Sequence, residues 1–187
     1  LNFIYLQFYK NNIMKTINDL NFSGKKALIR VDFNVPLDDN FQVTDDTRIQ
    51  SAKSTIIKIL EDSGSCILMS HLGRPKGVQN EFSLHHIIES LQDVLGVQVK
   101  FVNNCVGPKA EEAASDLKSG EILLLENLRF HEEEKSGEKN FAKQLSKLGD
   151  IYVNDAFGTA HRAHASTTIV AQFFEDKKCF GYLLAQE

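Results

Sequence analysis

Arginine is scarce in this chain, with five arginines against sixteen lysines among 187 residues. An arginine side chain can bind phosphate or carboxylate through a planar pair of hydrogen bonds, which lysine cannot form. Any one of these arginines could be an ordinary surface ion pair. Four of them, however, lie at or near the ends of short apolar segments, and together they predict a site for a compact polyanion: Arg48, Arg74, Arg129 and Arg162.

Further polar residues follow the same apolar segments. Asp32 and Asn34 are two positions apart, so their side chains project to one side of an extended chain. In a cationic site, Asp32 can accept a hydrogen bond from a ligand hydroxyl, and Asn34 can bond a hydroxyl or a carboxylate. His71 could donate to the anion, orient a neighbour or cap local backbone. Gly73 and Gly158 are expected in turns, which either bring backbone close to a ligand or serve the turn alone.

The fourth of these arginines lies in the segment NDAFGTAHRAHAS, between His161 and His164. The HxxH spacing of the two histidines raises the alternative of a metal site. Because the segment is broken by a glycine and lacks a matching pattern of carboxylates, no metal is predicted. The acidic run HEEEKSGEKN at 131–140 is expected to be a solvated approach to a helix.

Composition and missing motifs exclude several classes of function. Hydrophobic residues make up 42% of the chain and charged residues 25%, as in ordinary globular proteins, and no apolar run approaches the ~20 residues of a membrane span. The net charge of −4 argues against nucleic-acid binding. Cys66, Cys105 and Cys179 are expected to be reduced and buried, as in a cytoplasmic protein. Neither GxxxxGK[ST] nor GxGxxG is present, so no nucleotide site is predicted.

Six short runs are apolar at consecutive positions, which is typical of strands buried on both faces of a parallel sheet. The runs are ALIRV at 27–31, CILMS at 66–70, VKFV at 99–102, EILLLEN at 121–127, DIYVND at 150–155 and KCFGYLL at 178–184. The remaining arginine, Arg30, lies inside the first run. Its loss is therefore expected to affect stability more than binding.

Helical patterns separate these strands. One predicted helix has an apolar face that runs from Ile49 to Leu60. A second has an apolar face that runs from Leu84 to Leu95, behind an N-cap at Ser83. A third stripe, at 141–148, is expected to end with Gly149 in the C′ position. The alternation predicts a three-layer α/β domain, with about six parallel strands and helices on both faces. Ligands of such domains bind beyond the carboxyl ends of the strands.

The segment LNFIYLQFYKNNI precedes the first methionine, Met14. It has no leading cations and no small-residue cleavage site, so it is not predicted to be a signal peptide. We expect residues 1–13 to be an upstream or non-native extension and residues 14–187 to form one domain.

Four motifs then carry a specific resemblance. RVDFNVP, SHLGRP, LLENLRFH and NDAFGTAHRAHAS, in this order, resemble the N-terminal domain of phosphoglycerate kinases, from about Lys15 to the end of the chain. The resemblance implies a Rossmann-like domain that binds 3-phosphoglycerate or 1,3-bisphosphoglycerate. It also implies phosphoryl transfer to or from Mg-ADP or Mg-ATP in glycolysis. In the family a C-terminal domain binds the nucleotide.

The resemblance assigns roles to individual residues. Asp32 and Asn34 would contact the hydroxyl and carboxyl end of the glycerate, and Arg48 the carboxyl group and the phosphoryl group in transfer. The non-transferred phosphate would be bound by arginines, with His71 beside them: Arg74, Arg129 and Arg162.

Because the chain stops where the family's second domain would follow, this chain is expected to carry no nucleotide or metal site and to be inactive alone. A cytoplasmic monomer without membrane or nucleic-acid partners is expected. Two alternatives remain at this stage. One is a stand-alone binding module for phosphorylated acids, and the other is a phosphatase-like hydrolase, because VDFNV distantly resembles an Asp-x-Asp nucleophile loop.

Overall fold

The computed structural model describes residues 9–10, 13–156, 158 and 163–185. A short antiparallel hairpin, β1 (Tyr9–Lys10) and β2 (Ile13–Met14), precedes the domain. Six further strands form the central sheet: β3 (Lys26–Val31), β4 (Ser65–Met69), β5 (Val99–Val102), β6 (Ile122–Leu125), β7 (Ile151–Asp155) and β8 (Lys178–Phe180).

The described α-helices are α1 (Thr47–Glu61), α2 (Ile88–Leu95), α3 (Pro108–Ser115), α4 (Glu132–Ser136), α5 (Lys139–Ser146) and α6 (Tyr182–Ala185). A 3₁₀ turn at Leu84–Ile87 leads into α2, and the Ser83 side chain accepts a hydrogen bond from the amide of His85, as predicted. A π-helical turn, Ala165–Ile169, follows β7.

All pairings within the six-stranded sheet are parallel, in the order β5-β6-β4-β3-β7-β8. The chain therefore leaves β3 for β4 on one side and later returns to place β7 on the other side of β3. Such a reversal of strand order opens a crevice at the carboxyl ends of the strands. The predicted α/β class and the parallel sheet are confirmed.

The sheet separates two apolar cores, because successive side chains along a strand face opposite sides. Leu28 and Tyr152 pack with residues of α3 and α5. Ala27 and Ile29 pack on the other side with residues of α1 and α2. Helices on both faces explain why the strands are apolar at consecutive positions.

The last strand is shorter than predicted. It ends at Phe180, and residues 182–185 form α6 instead of continuing the strand. The Oδ1 atom of Asp155 accepts a hydrogen bond of 3.0 Å from the amide of Leu183, inside that helix. A Cβ on Gly181 would lie 2.4 Å from the Asp155 carboxyl group, so only glycine fits between the end of β7 and α6.

The predicted role of Gly149 is wrong. Lys147 is the C-cap of α5, and Gly149 is not among the glycines with positive φ. A Cβ at this position would lie 2.8 Å from Cβ of Leu28. Close packing against β3, and not a left-handed helix end, therefore requires the glycine.

The three cysteines are free and buried, as predicted. Burial raises the pKa of all three thiols. Among the described residues, no helix is long and apolar enough to cross a membrane.

Asp155 makes the stability of the fold dependent on pH. Burial raises the pKa of its carboxyl group from 3.8 to about 6, against hydrogen bonds from Thr55, Leu183 and Leu184 that lower it. A folded-state pKa above the unfolded value means that the folded protein binds this proton more tightly. Tighter binding of the proton stabilises the folded protein below about pH 4, and this stabilisation is lost as the pH rises toward 6.

We expect Asp155→Asn to remove this loss, because asparagine keeps an acceptor oxygen without the charge. The free energy of unfolding of the variant minus that of the parent protein should increase by up to roughly 3 kcal/mol between pH 4 and pH 7. Urea unfolding across this range measures it. The exposed Asp116→Asn is the control, and a pH-independent difference for Asp155→Asn would contradict the assignment.

Candidate functional site

A cavity of about 250 Å³ opens at the carboxyl ends of the central strands. Its lining holds six of the seven residues predicted for the site, together with both predicted turn glycines: Asp32, Asn34, Arg48, His71, Gly73, Arg74, Arg129 and Gly158. The seventh, Arg162, lies outside the described residues, as does His161. The structure thus brings the six together, while their roles toward a ligand stay predictions.

Asp32 and Arg48 form an ion pair across the mouth of the cavity, with Nη1 of Arg48 donating to Oδ2 of Asp32. Asp32 follows β3 directly, and Arg48 lies in the first turn of α1. The Arg48 side chain is 49% exposed, so solvent screens the pair and leaves the guanidinium accessible. A Cβ on Gly158 would lie 2.5 Å from the same carboxylate oxygen, so a larger residue there would have to displace the Asp32 carboxylate.

The peptide groups of Gly73 hold two of the predicted ligand contacts in place. Its amide donates to Oδ1 of Asn34 at 2.7 Å, and its carbonyl accepts from Nη1 of Arg129 at 2.7 Å. The Asn34 oxygen already accepts this bond inside the protein, and its Nδ2 group offers two donors to a ligand. This favours a carboxylate, phosphate or hydroxyl oxygen as its partner.

Two buried residues that the sequence did not single out brace the loop that carries Arg129. The side-chain amide of Asn127 donates to the carbonyls of Leu72 and Phe82, each at 2.8 Å, and its oxygen accepts the amide of Arg129 at 3.0 Å. The neighbouring Glu126 accepts the Ser83 hydroxyl at 2.7 Å. Both lie in the run EILLLEN, but β6 ends at Leu125, which frees these polar side chains to brace the loop.

The cavity is electropositive. Three arginines and one carboxylate line it. Arg74 is exposed and has no hydrogen bond or ion pair within the part of the chain that the structure describes. His71 adds no charge, because burial and the neighbouring arginines lower the pKa of its imidazole to about 2. The site is thus suited to a compact anion with several oxygen acceptors.

A buried polar network lies directly beneath the cavity. Arg30, within β3 as expected, is only 1% exposed, and its Nη2 atom lies 3.2 Å from Nδ1 of His71. Its Nε donates to the hydroxyl of Ser166 at 2.8 Å. Ser166 in turn contacts Glu134.

The prediction that the run at 131–140 is solvated is therefore wrong for Glu134, which is 1% exposed. Glu134 turns inward from α4 to accept hydrogen bonds from Ser166. His164 is also buried, with its Nδ1 atom 3.9 Å from Oε1 of Glu134. No group of three metal-ligating side chains occurs among the described residues.

A larger cavity elsewhere suits an anion less well. It measures about 430 Å³ and lies at the amino ends of β7 and β8, lined in part by Asp150, Glu175 and Asp176. Its described lining holds three carboxylates and one lysine, but no arginine. Of these two cavities, the smaller one at the carboxyl ends is therefore better suited to an anion by the charge of its lining.

The fold and the cavity define a class of protein. It is a parallel α/β domain with arginines at the carboxyl ends of its strands. The family model described as phosphoglycerate kinase matches residues 17–187. The chain belongs to the phosphoglycerate kinase family, as its sequence motifs indicated.

Known relatives agree with this assignment. The chain is 51% identical to a phosphoglycerate kinase of Porphyromonas gingivalis and 54% identical to one of Moorella thermoacetica, in each instance over 92% of this chain. It spans 47% and 43% of the length of these two relatives, or about half. A solved phosphoglycerate kinase of Pyrococcus horikoshii superposes with a TM-score of 0.84 at 32% identity, covering 92% of this chain and 44% of that one. The enzyme of Coxiella burnetii superposes with a TM-score of 0.82 at 35% identity, covering 93% and 43%.

Gly73→Ala tests how tightly this loop is packed. Gly73 has φ +62°, and a Cβ there would lie 2.3 and 2.4 Å from two ring carbons of Phe82. Gly77 has φ +93°, and a Cβ there would meet no atom within 4 Å beyond its chain neighbours, so Gly77→Ala shares the backbone strain without the clash. We expect Gly73→Ala to lower the free energy of unfolding by roughly 1–3 kcal/mol more than Gly77→Ala. Urea denaturation measures both, and equal losses would show that Phe82 yields freely.

Proposed function

We propose that the cavity binds 3-phosphoglycerate or 1,3-bisphosphoglycerate, and that the chain is the substrate-binding part of a phosphoglycerate kinase. The observation that carries this proposal is the convergence of Arg48, Arg74 and Arg129 on one small cavity at the carboxyl ends of the strands. Membership of the family supplies the identity of the anion. Arg162 would join these arginines from the loop after β7.

The contacts of the cavity fit the two ends of such a ligand. Arg74 and Arg129 would bind the non-transferred phosphate through charge-assisted hydrogen bonds. Asn34 donates toward the carboxyl end through Nδ2, and Asp32 accepts the glycerate hydroxyl while it pairs with Arg48. From its exposed position, Arg48 would face the phosphoryl group in transfer, where negative charge spreads over three oxygens.

The reaction proposed for the whole enzyme is phosphoryl transfer between 1,3-bisphosphoglycerate with ADP and 3-phosphoglycerate with ATP, as a step of glycolysis in the cytoplasm. When bound, magnesium and the nucleotide supply the transferable phosphoryl group and neutralise its charge. The described residues do not fit that group, since they contain no cluster of three metal-ligating side chains and Asp32 is paired with Arg48. We therefore place the magnesium–nucleotide site on the family's second domain. A monomer without nucleic-acid partners remains our prediction.

The hydrolase alternative has no support in the structure. A phosphatase of the kind suggested by VDFNV needs an aspartate that is free to attack phosphorus. Asp32 is held by Arg48, and the position at which such a loop carries its second aspartate is Asn34.

We expect the arginines to contribute separately to affinity. Replacing Arg74, Arg129 or Arg162 with alanine should weaken 3-phosphoglycerate binding roughly ten- to a hundred-fold, since each loses charge-assisted hydrogen bonds worth ~1.5–3 kcal/mol. Lysine should restore only part of the affinity, because it keeps the charge but loses the planar pair of donors. Calorimetric titration of the purified chain measures these changes. In a full-length enzyme, Arg48→Ala should lower turnover more than ground-state binding.

Lys143→Ala is the matched control for this series, because it removes one exposed positive charge from α5 without touching the cavity. Its affinity should equal that of the parent protein. Normal binding by both Arg74→Ala and Arg129→Ala, with their folding intact, would refute the assignment of the site.

The polypeptide of residues 1–187 should bind 3-phosphoglycerate but not turn it over with magnesium and ATP. Its described residues hold the acid and provide no metal cluster, whereas phosphoryl transfer also needs an aligned nucleotide and metal. A coupled assay with the pure chain checks this, and magnesium-dependent turnover would contradict it. Release of phosphate from an aryl phosphate by the same sample would revive the hydrolase alternative.

A further inference from the structure

The buried residues beneath the cavity form a chain of hydrogen bonds whose proton positions can be deduced. The chain begins at Glu134 in α4, passes through Ser166 in the π-helical turn and Arg30 in β3, and ends at His71 after β4. Glu134 and Arg30 are each 1% exposed, Ser166 is fully buried and His71 is 4% exposed. Buried charges of this kind persist when they are paired and hydrogen-bonded.

The Ser166 hydroxyl has a forced orientation. Arginine has donors only, so the 2.8 Å contact from Nε of Arg30 requires the Ser166 oxygen to accept. The single hydroxyl proton of Ser166 is then donated to Oε1 of Glu134, at 2.6 Å. The amide of Ser166 donates to Oε2 of Glu134 at 3.0 Å, so the carboxylate is held at both oxygens. The hydroxyl thereby bridges a buried cation and a buried anion.

The position of the imidazole proton on His71 is fixed in the same way. Nη2 of Arg30 can only donate, so Nδ1 of His71, 3.2 Å away, accepts and carries no proton. A neutral imidazole must then carry its proton on Nε2. His71 lines the cavity, and Nε2 lies across the ring from the nitrogen that is turned toward Arg30.

We infer that Arg30, Ser166 and Glu134 are positioning residues that lock His71 as the Nε2–H tautomer, so that it presents a neutral hydrogen-bond donor to the anion in the cavity. This inference rests on the proposed function for the identity of the anion, but not for the tautomer. Arg30, whose loss the sequence predicted to affect stability more than binding, acts on the ligand through His71.

The charges around His71 agree with a neutral ring. Burial first, and then Arg30, Arg129, His164 and Arg48, lower the pKa of its imidazole to about 2. Glu134 is the counter-charge of Arg30, and it reaches the arginine through the Ser166 hydroxyl. A charged His71 would face arginines from both the core and the cavity. A neutral donor adds a contact for the anion without that repulsion, and its contribution does not change across physiological pH.

The test is nitrogen-15 NMR of the histidine rings, in which the two nitrogens of a neutral imidazole are resolved by their protonation. The His71 signals are assigned by their loss in His71→Gln. In the parent protein we expect the neutral Nε2–H form throughout about pH 5 to 8, where an ordinary histidine titrates. A ring protonated on Nδ1, or one that titrates in this range, would overturn the inference without the need for any variant.

Variants then separate positioning from a structural role. Ser166→Ala and Glu134→Gln should mix the tautomers of His71 or bring its titration into this range, and should weaken 3-phosphoglycerate binding about three- to ten-fold. Glu133→Gln, an exposed neighbour in α4, is the matched control and should leave both measurements unchanged. If both network variants fold but keep the parent spectrum and affinity, the network does not position His71. If His71 has the expected tautomer yet no 3-phosphoglycerate binds, the proposed function fails and the tautomer assignment stands.

Discussion

Arg30 lies near the carboxyl end of the inner strand β3, and its guanidinium is buried. Several loops at that end of the sheet are held in place by the hydrogen bonds that this buried charge needs. An arginine cannot shed its proton, so the fold must bring it an opposite charge and enough acceptors. Those partners come from separate elements: the Val31 carbonyl in β3, the His71 ring after β4 and the Ser166 hydroxyl after β7. Glu134 closes the set from α4. The loops that carry the cavity are thus tied to one internal charge.

The cavity above this charge is built as much from peptide groups as from side chains. The Gly73 peptide groups connect Asn34 with Arg129, and the Asn127 side chain connects three backbone segments. The Gly73 amide occupies the Asn34 oxygen, which leaves the Nδ2 donors of Asn34 for a ligand. A site made in this way has a fixed polarity: it presents hydrogen-bond donors, with Asp32 as its one carboxylate among the described lining residues. Phosphorylated acids, which carry many acceptors, match that polarity.

The sequence was sufficient for those features that depend on periodicity and on strand topology. Six apolar runs correspond to the six strands, because strands covered by helices on both faces must be apolar at consecutive positions. The cavity could be predicted from residue types at strand ends, since parallel strands bring those ends to one edge. The sequence did not predict the roles of Glu134 and Asn127, or the residue at which the last strand ends. Glu134 lies in an acidic run whose other members are solvated, and its partner Ser166 is 32 positions away. Asn127 bonds to Leu72 across 55 positions. Nothing in residue type or spacing reveals contacts over such separations, and the same holds for Gly149, whose need for glycine comes from Leu28.

The three buried thiols give the domain a set of internal reporters on its own opening. Cys66 lies in β4 near the centre of the sheet, Cys105 follows β5 at one edge, and Cys179 lies in β8 at the other edge. Only the thiolate reacts with disulfide reagents, and burial both hides these sulfurs and raises their pKa. Labelling at each cysteine therefore requires that its own part of the sheet separate from the helices that cover it. The relative labelling rates at the three positions would map where the fold opens first. A comparison of these rates with and without ligand would show whether binding in the cavity also stabilises the two edges of the sheet.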